Sequence, residues 1–175
     1  MLATELLLSA LNRNWDMIDD AIDGMDDSMI ARIPAGECNS IGWILWHLNR
    51  VMDSFVTTRL RDKSQIWVQG GWAQRFDMAA DEDDRGVGWT AEQVAVWNPP
   101  PREILLGYYQ AVRSEAQGFL ASLTEQDLER RLVFPPGAEP RTAASALGQM
   151  TWDIVAHGGQ IAFLRGFYKG MGWHR

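Results

Sequence analysis

The chain has 175 residues, a single cysteine (Cys38) and a formal net charge of −7. This length can bury the core of one domain without disulfides or a structural metal, so we expect one domain over residues 1–175. The acidic balance argues against nucleic acid and anionic membrane surfaces as partners. A lone cysteine cannot form an intramolecular disulfide and fits a reducing compartment, so we expect a cytoplasmic protein.

The first predicted helix occupies the N-terminal segment and ends before Gly24. Its apolar residues recur at steps of four and three, which is the period of a helix packed in a bundle. The members of this stripe are Thr4, Leu8, Leu11, Trp15, Ile18 and Ile22. A second predicted helix begins after the candidate N-caps Asn39 and Ser40 and runs to about Leu60.

A long connection is predicted between Asp62 and Pro100, because the periodicity stops there and glycines, acidic residues and prolines accumulate. One short helix is expected inside it, from Thr90 to Trp97. A connection of this length in a compact domain usually covers a site or is disordered. Its large aromatic residues favour a packed cover, and they are Trp67, Trp72, Phe76, Trp89 and Trp97.

The third predicted helix starts at Pro101 and ends near Ser122, and a short helix follows after Thr124. The fourth predicted helix is capped by Thr142 and stops at Gly170. No segment shows the alternation of a strand. The sequence therefore predicts an all-α four-helix bundle with a long Trp-rich connection between helices 2 and 3.

Three side chains that can bind a metal lie on the second and fourth predicted helices. Asp153 and His157 are four residues apart and so share one helical face, and His47 lies on the second helix. If these helices are neighbours, the three side chains can converge on a divalent cation. The alternative is an Asp153–His157 hydrogen bond alone, with His47 as a core histidine bonded to backbone or water.

Four further residues lie within one turn of these candidate ligands and are candidates for supporting or substrate-binding roles. Gln160 could orient a ligand or substrate, or make a hydrogen bond between helices. Arg50 could anchor an anionic group of a substrate, or form a salt bridge with Asp53. Trp43 and Trp46 could form walls of a pocket, or belong to the core.

Residues 40–50 (SIGWILWHLNR) and 157–166 (HGGQIAFLRG) resemble the DinB-like superfamily of metalloenzymes, and the resemblance covers most of the chain. In that family, one histidine on the second helix and two histidines four residues apart on the last long helix bind the metal. This pattern maps onto His47, Asp153 and His157. The departure is Asp153, which keeps a three-ligand set but shifts the preference toward harder ions.

The resemblance implies a divalent metal cofactor, without distinguishing zinc, nickel, iron and manganese. It further implies a thiol-dependent S-transferase or isomerase that uses a low-molecular-weight thiol, since the family includes thiol-dependent transferases and a mycothiol-dependent maleylpyruvate isomerase. A metal-dependent hydrolase and a non-catalytic bundle that binds a small molecule are the alternatives. The expected partners are a small-molecule substrate and a second copy of the chain in a homodimer.

Overall fold

The computed structural model describes residues 3–34, 38–134 and 136–174, and this part of the chain is mostly helical, which confirms the all-α class. No helix in these ranges combines the length and the apolarity needed to cross a bilayer. The helices are α1 (Ala3–Ile22), α2 (Asp27–Ala31), α3 (Ile41–Asp53), α4 (Ile66–Gln69), α5 (Trp72–Arg75), α6 (Ala91–Val96), α7 (Arg102–Ser122), α8 (Glu125–Glu129) and α9 (Ala143–Lys169). The strands are β1 (Arg131–Leu132) and β2 (Arg141–Thr142).

The longer helices pack against one another through their apolar faces. Helix α3 lies against α7 and α9, and α1 lies against the same two helices. The stripe of α1 is buried at Leu11, Trp15 and Ile18, although Leu8 is only half-buried. Burial of these side chains supplies most of the driving force that holds the helices together.

Both helices that carry candidate ligands begin at predicted N-caps. The Ser40 hydroxyl accepts a hydrogen bond of 3.1 Å from the backbone N–H of Trp43 at the start of α3. The Thr142 hydroxyl does the same for Ser145 at the start of α9, also at 3.1 Å. These caps satisfy N–H groups that the first turn of a helix leaves unpaired, and so they fix where each helix begins.

Helix α3 does not end at Asp53 but continues into a π-helical segment, Ser54–Arg59. At this junction the Thr57 hydroxyl donates a hydrogen bond of 2.6 Å to the Asp53 carbonyl. The predicted helix to about Leu60 is therefore present, but its last part is wound more widely than an α-helix.

The long connection is a packed cover that contains α4 and α5 in addition to the predicted helix α6. The N-cap of α6 is Thr90, which forms reciprocal hydrogen bonds with Gln93. Trp67 and Phe76 are buried, and the other aromatic residues of this segment are half-buried against the core. Four-residue helices are too short to show a 3.6-residue period, which explains why the sequence did not reveal them.

The expectation that no strand would occur was wrong. Strands β1 and β2 pair antiparallel, with Arg131 opposite Thr142 and Leu132 opposite Arg141. Each strand has two residues, which is too short for an alternating pattern to be recognised. The pair closes the loop that leads into α9.

Arg50 on α3 is completely buried, and its hydrogen bonds hold the long connection against this helix. Its Nε donates to the carbonyl of Asp84 at 3.1 Å, and its Nη2 donates to the carbonyl of Asp81 at 2.8 Å. Its Nη1 donates to Oε1 of Gln65 at 2.6 Å, and the guanidinium lies 4.5 Å above the ring of Trp67. A single arginine on α3 thus ties down two distant stretches of the connection.

Asp53 is the buried partner of this arginine, with 3.9 Å between Oδ2 and Nη1 of Arg50. Its Oδ1 accepts a hydrogen bond from the backbone N–H of Ile66 at 3.0 Å. Its Oδ2 accepts from the N–H of Trp67 and the hydroxyl of Tyr108, both at 2.9 Å. Burial raises the pKa of Asp53, whereas these donors and Arg50 act in the opposite direction.

Replacement of Asp53 by asparagine should destabilise the fold, because an NH₂ group would face donors and the charge of Arg50 would lose its partner. We expect the Asp53→Asn variant to lose about 2–4 kcal/mol of unfolding free energy in urea titrations. The matched control is Asp23→Asn at an exposed position, which should change stability by less than about 0.5 kcal/mol. Equal effects of the two substitutions would contradict the role given to the buried pair.

Candidate metal centre

Helices α3 and α9 lie side by side and bring the three predicted ligands together. His47, Asp153 and His157 each offer one ligand atom within 4.8 Å of the other two. Oδ1 of Asp153 lies 3.8 Å from Nε2 of His157, and the centroids of the two imidazole rings are 4.7 Å apart. Three groups of the correct chemistry therefore converge from two helices.

His47 is held in an orientation that leaves one ring nitrogen free. Its Nδ1 is hydrogen-bonded to the backbone carbonyl of Arg85. Since a carbonyl oxygen can only accept, Nδ1 carries the proton and Nε2 presents its lone pair. The indole of Trp43 stacks on the ring with 4.9 Å between centroids and 8° between planes. Burial lowers the pKa of His47, which favours the neutral imidazole that metals bind.

His157 is oriented in the same way as His47, but the acceptor for its Nδ1 is a side-chain amide rather than a backbone carbonyl. Its Nδ1 lies 2.8 Å from Oε1 of Gln160, so Nδ1 donates and Nε2 is left to face Asp153. The His157 side chain is half-buried, with 18% exposure. Gln160 therefore lies where it can orient His157.

Asp153 supplies the observation that tests whether a cation fits these residues. Its Oδ2 is buried and has no hydrogen-bond partner among the described residues. A buried carboxylate oxygen without a donor is costly, and a cation would satisfy it. Ligand atoms about 2.0–2.2 Å from one ion lie at most about 4.4 Å apart, so a small rotation of the side chains would suffice. The donor set fits a divalent ion.

A glycine allows α9 to approach α1 beside the candidate ligands. A Cβ atom at Gly158 would lie 2.1 Å from Oδ1 of Asn14. The Asn14 amide in turn donates a hydrogen bond of 3.2 Å to the carbonyl of Ile154. This contact braces α9 between Asp153 and His157. The contact was not predicted from the sequence, although a glycine inside a predicted helix is a usable signal for close packing.

Gly86 allows the long connection to approach His47 closely. Gly86 has a φ of +77°, and a Cβ atom there would lie 2.7 Å from Trp43 and 2.8 Å from Trp46. It directly follows Arg85, whose carbonyl orients His47. A glycine is required here both for its backbone conformation and for the space that it leaves.

The other candidate residues are positioned as parts of the core. Arg50 is completely buried and its hydrogen bonds serve the fold, so the alternative pairing with Asp53 describes it better than a contact with substrate. Trp43 is 6% exposed and covers His47. Trp46 is 0% exposed and lies among other aromatic rings rather than at a cavity wall. The rings around it are those of Trp43, Trp67, Trp89 and Trp97.

A cavity of about 600 Å³ lies beside Gln160, between α9 and the start of α3. Its walls include Ile44, Phe163 and Phe167, and Cys38 lies at its edge. This volume is in the range of sites that bind small molecules. Since Gln160 also contacts His157, the cavity adjoins the candidate metal centre.

Comparison with known proteins agrees with this architecture. The crystal structure of a conserved protein from Enterococcus faecalis superposes with a TM-score of 0.83, covering 98% of this chain and 99% of its own. The two sequences are 23% identical, so the likeness shows the fold alone. No curated protein matches the chain. The sequence profile of the DinB superfamily matches residues 10–161, and the chain therefore belongs to the DinB superfamily.

Proposed function

We propose that this protein is a divalent-metal-dependent enzyme whose metal ligands are His47, Asp153 and His157. The observation that carries the proposal is the convergence of three ligand atoms within 4.8 Å of one another. Two hydrogen bonds that leave Nε2 of each histidine free, and a buried carboxylate oxygen without a donor, support it. Membership of the DinB superfamily agrees with a metal site.

We interpret the packing of α1, α3, α7 and α9 as the predicted four-helix bundle, with the metal centre between α3 and α9. The contacts of α1 and of α3 with both α7 and α9 support this interpretation. Sites built from facing helices of a bundle are held rigidly, because the backbone of each ligand is fixed by packing.

A bound divalent ion with an open coordination position would supply Lewis acidity, which lowers the pKa of a thiol or of water. The residues of the chain hold and orient the participants. Arg85 and Gln160 fix the tautomers of the two histidines, and Trp43 excludes water from one face of His47. Asp153 contributes a negative oxygen that shifts the preference toward harder ions, and two imidazoles with one carboxylate do not distinguish zinc, nickel, iron and manganese further.

Within this class, we infer a thiol-dependent S-transferase or isomerase that uses a low-molecular-weight thiol. The family resemblance of residues 40–50 and 157–166 supports this choice, and the cavity beside Gln160 offers space for a small thiol or substrate. Such chemistry requires reduced thiols, which agrees with the cytoplasmic location expected from a single cysteine. Hydrolysis by an activated water is the second candidate, because the same centre could activate either nucleophile.

The metal proposal is tested by the metal content of protein purified without chelator. We expect about one divalent ion per chain in the wild type and a large loss in His157→Ala, which removes one of three ligands. The control is His174→Ala, because that histidine lies near Asp20 rather than in the centre and should leave the metal content unchanged. Equal metal content in wild type and His157→Ala would refute the assigned ligand set.

Gln160 provides a graded version of the same test. Gln160→Leu removes the acceptor of the His157 N–H but leaves all three ligands in place. Loss of such an orienting partner typically lowers metal affinity about 10–100-fold. A competition titration with a metal indicator should show this decrease, and an unchanged affinity would mean that Gln160 does not orient the ligand.

The reaction class is tested by mixing the metal-loaded and the metal-free protein with small thiols and electrophiles. A thiol transferase consumes thiol only when the metal is present. Cleavage of esters or amides without thiol would instead favour the hydrolase. If neither reaction occurs while a small molecule binds in the cavity, the non-catalytic binding bundle is the better description.

We also propose that the chain forms a homodimer through the exposed face of α9 that borders the cavity beside Gln160, so that Phe163 and Phe167 contribute to both. Trp152 and Phe163 on this helix are each 70% exposed, and Phe167 is 60% exposed. Large apolar side chains that recur on one helix face commonly mark an interface. Sedimentation should therefore show a dimer, and Phe163→Ser should shift it toward the monomer without lowering the thermal midpoint of the isolated subunit.

A further inference from the structure

A cavity lined by arginines stands out in this acidic chain. Its volume is about 670 Å³, and Arg59, Arg85 and Arg141 all line it. Asp83 is the acidic residue on its wall, and the Asp83 side chain is 93% exposed. Three arginines and one aspartate give the wall a net charge of about +2, although the whole chain carries a net charge of −7.

The guanidinium of Arg59 is held in place by aromatic rings. Its central carbon lies 4.0 Å from the ring centroid of Phe55 and 4.0 Å from that of Phe134. Its Nε is buried without a hydrogen-bond partner, and within residues 3–34, 38–134 and 136–174 no carboxylate lies within 4.0 Å of it. Both rings contact the guanidinium through cation–π interactions, which restrict its orientation.

The other two arginines also have unused donors. Nε of Arg141 is buried without a partner, while its Nη1 donates to Oε1 of Gln149. Nη1 of Arg85 makes no hydrogen bond and lies 3.6 Å from Oδ1 of Asp83. Arginines in such surroundings normally bind carboxylate or phosphate oxygens through paired N–H donors.

The three arginines repel one another, and the charges of Asp83 and Asp153 offset only part of this repulsion at Arg59. Burial, followed by the charges of Arg85 and Arg141, lowers the pKa of Arg59 to about 10, whereas the charges of Asp83 and Asp153 act in the opposite direction. Bringing like charges together in a half-buried site is unfavourable unless an anion compensates them. A ligand with two negative charges would match the uncompensated charge.

We propose that Arg59, Arg85 and Arg141 form a binding site for a small dianion that presents carboxylate or phosphate oxygens. The site borders the candidate metal centre at two points. Arg85 is the residue whose carbonyl orients His47, and Gln149, which binds Arg141, lies one turn before Asp153 on α9. That the anion is part of the substrate rests on the proposed function, whereas the binding itself does not.

The site also reassigns a role that the sequence suggested for another residue. Arg50 was a candidate for anchoring an anionic group of a substrate, but its hydrogen bonds are used within the fold. The arginines at 59, 85 and 141 instead line a cavity, and each has a nitrogen that makes no hydrogen bond within the protein.

The test measures anion binding to metal-free protein by calorimetry at constant ionic strength, with inorganic phosphate and succinate as separate probes. We expect at least one of them to bind to the wild type, and Arg59→Gln and Arg141→Gln each to weaken that binding about tenfold or more. Tighter binding of phosphate would identify a phosphorylated ligand, and tighter binding of succinate a dicarboxylate. The charge-matched control is Arg75→Gln, which changes an exposed arginine that contacts the ring of Trp72 and should bind like the wild type.

Three results would overturn the proposal: no binding of either probe to the wild type, unchanged binding in both pocket variants, or equal weakening in Arg75→Gln. Thermal melting without anion checks the fold, and Arg141→Gln decides the matter if Arg59→Gln does not fold. The outcome is independent of the metal centre. Anion binding without metal binding would keep this site and remove the proposed enzyme, and metal binding without anion binding would do the reverse.

Discussion

The fixed position of the Trp-rich connection on α3 depends on a buried pair, Arg50 and Asp53. Arg50 holds the carbonyls of Asp81 and Asp84, while Asp53 holds the start of α4. Because the chain is fixed at 84, the next carbonyl, that of Arg85, is brought onto His47. The same interaction that closes the fold thus selects the tautomer of a candidate ligand. Charged residues buried at this depth are retained only when such geometry satisfies them.

The periodic and local features of the molecule could be predicted from the sequence. The stripe of α1, the caps Ser40 and Thr142, and the four-residue spacing of Asp153 and His157 all follow rules that act within a few residues. The contacts that complete the site could not be predicted in this way, because they join residues far apart in the sequence. Arg85 and His47 are separated by 38 positions, and Asn14 and Ile154 by 140. No local pattern encodes such pairs, and the same limit left the role of Arg50 open between two alternatives.

The candidate metal centre and the arginine-lined cavity favour ligand groups of opposite charge. At the centre, a neutral imidazole and an unpaired carboxylate oxygen favour a cation. Next to it, guanidinium groups with free donors favour an anion. A polar ligand that contacts both regions would bind in one orientation, because its anionic group can bind only at the arginines and its other end only at the centre. The exposed acidic residues do not prevent an anion from binding, because salt screens exposed charges strongly and screens the half-buried arginines of the cavity much less.

The π-helical segment Ser54–Arg59 sets the direction in which Arg59 points. A wide turn of this kind behaves as one residue inserted into an α-helix, and such turns are frequent at functional sites. Deleting a single residue from the segment would restore the ordinary winding and swing position 59 toward another side of the helix. Among relatives, the length of this segment would then decide which side chain enters the cavity, even where the flanking helices align without a gap. Insertion or deletion of one residue in this helical turn would therefore change the side chain that enters the cavity and leave the candidate metal ligands in place.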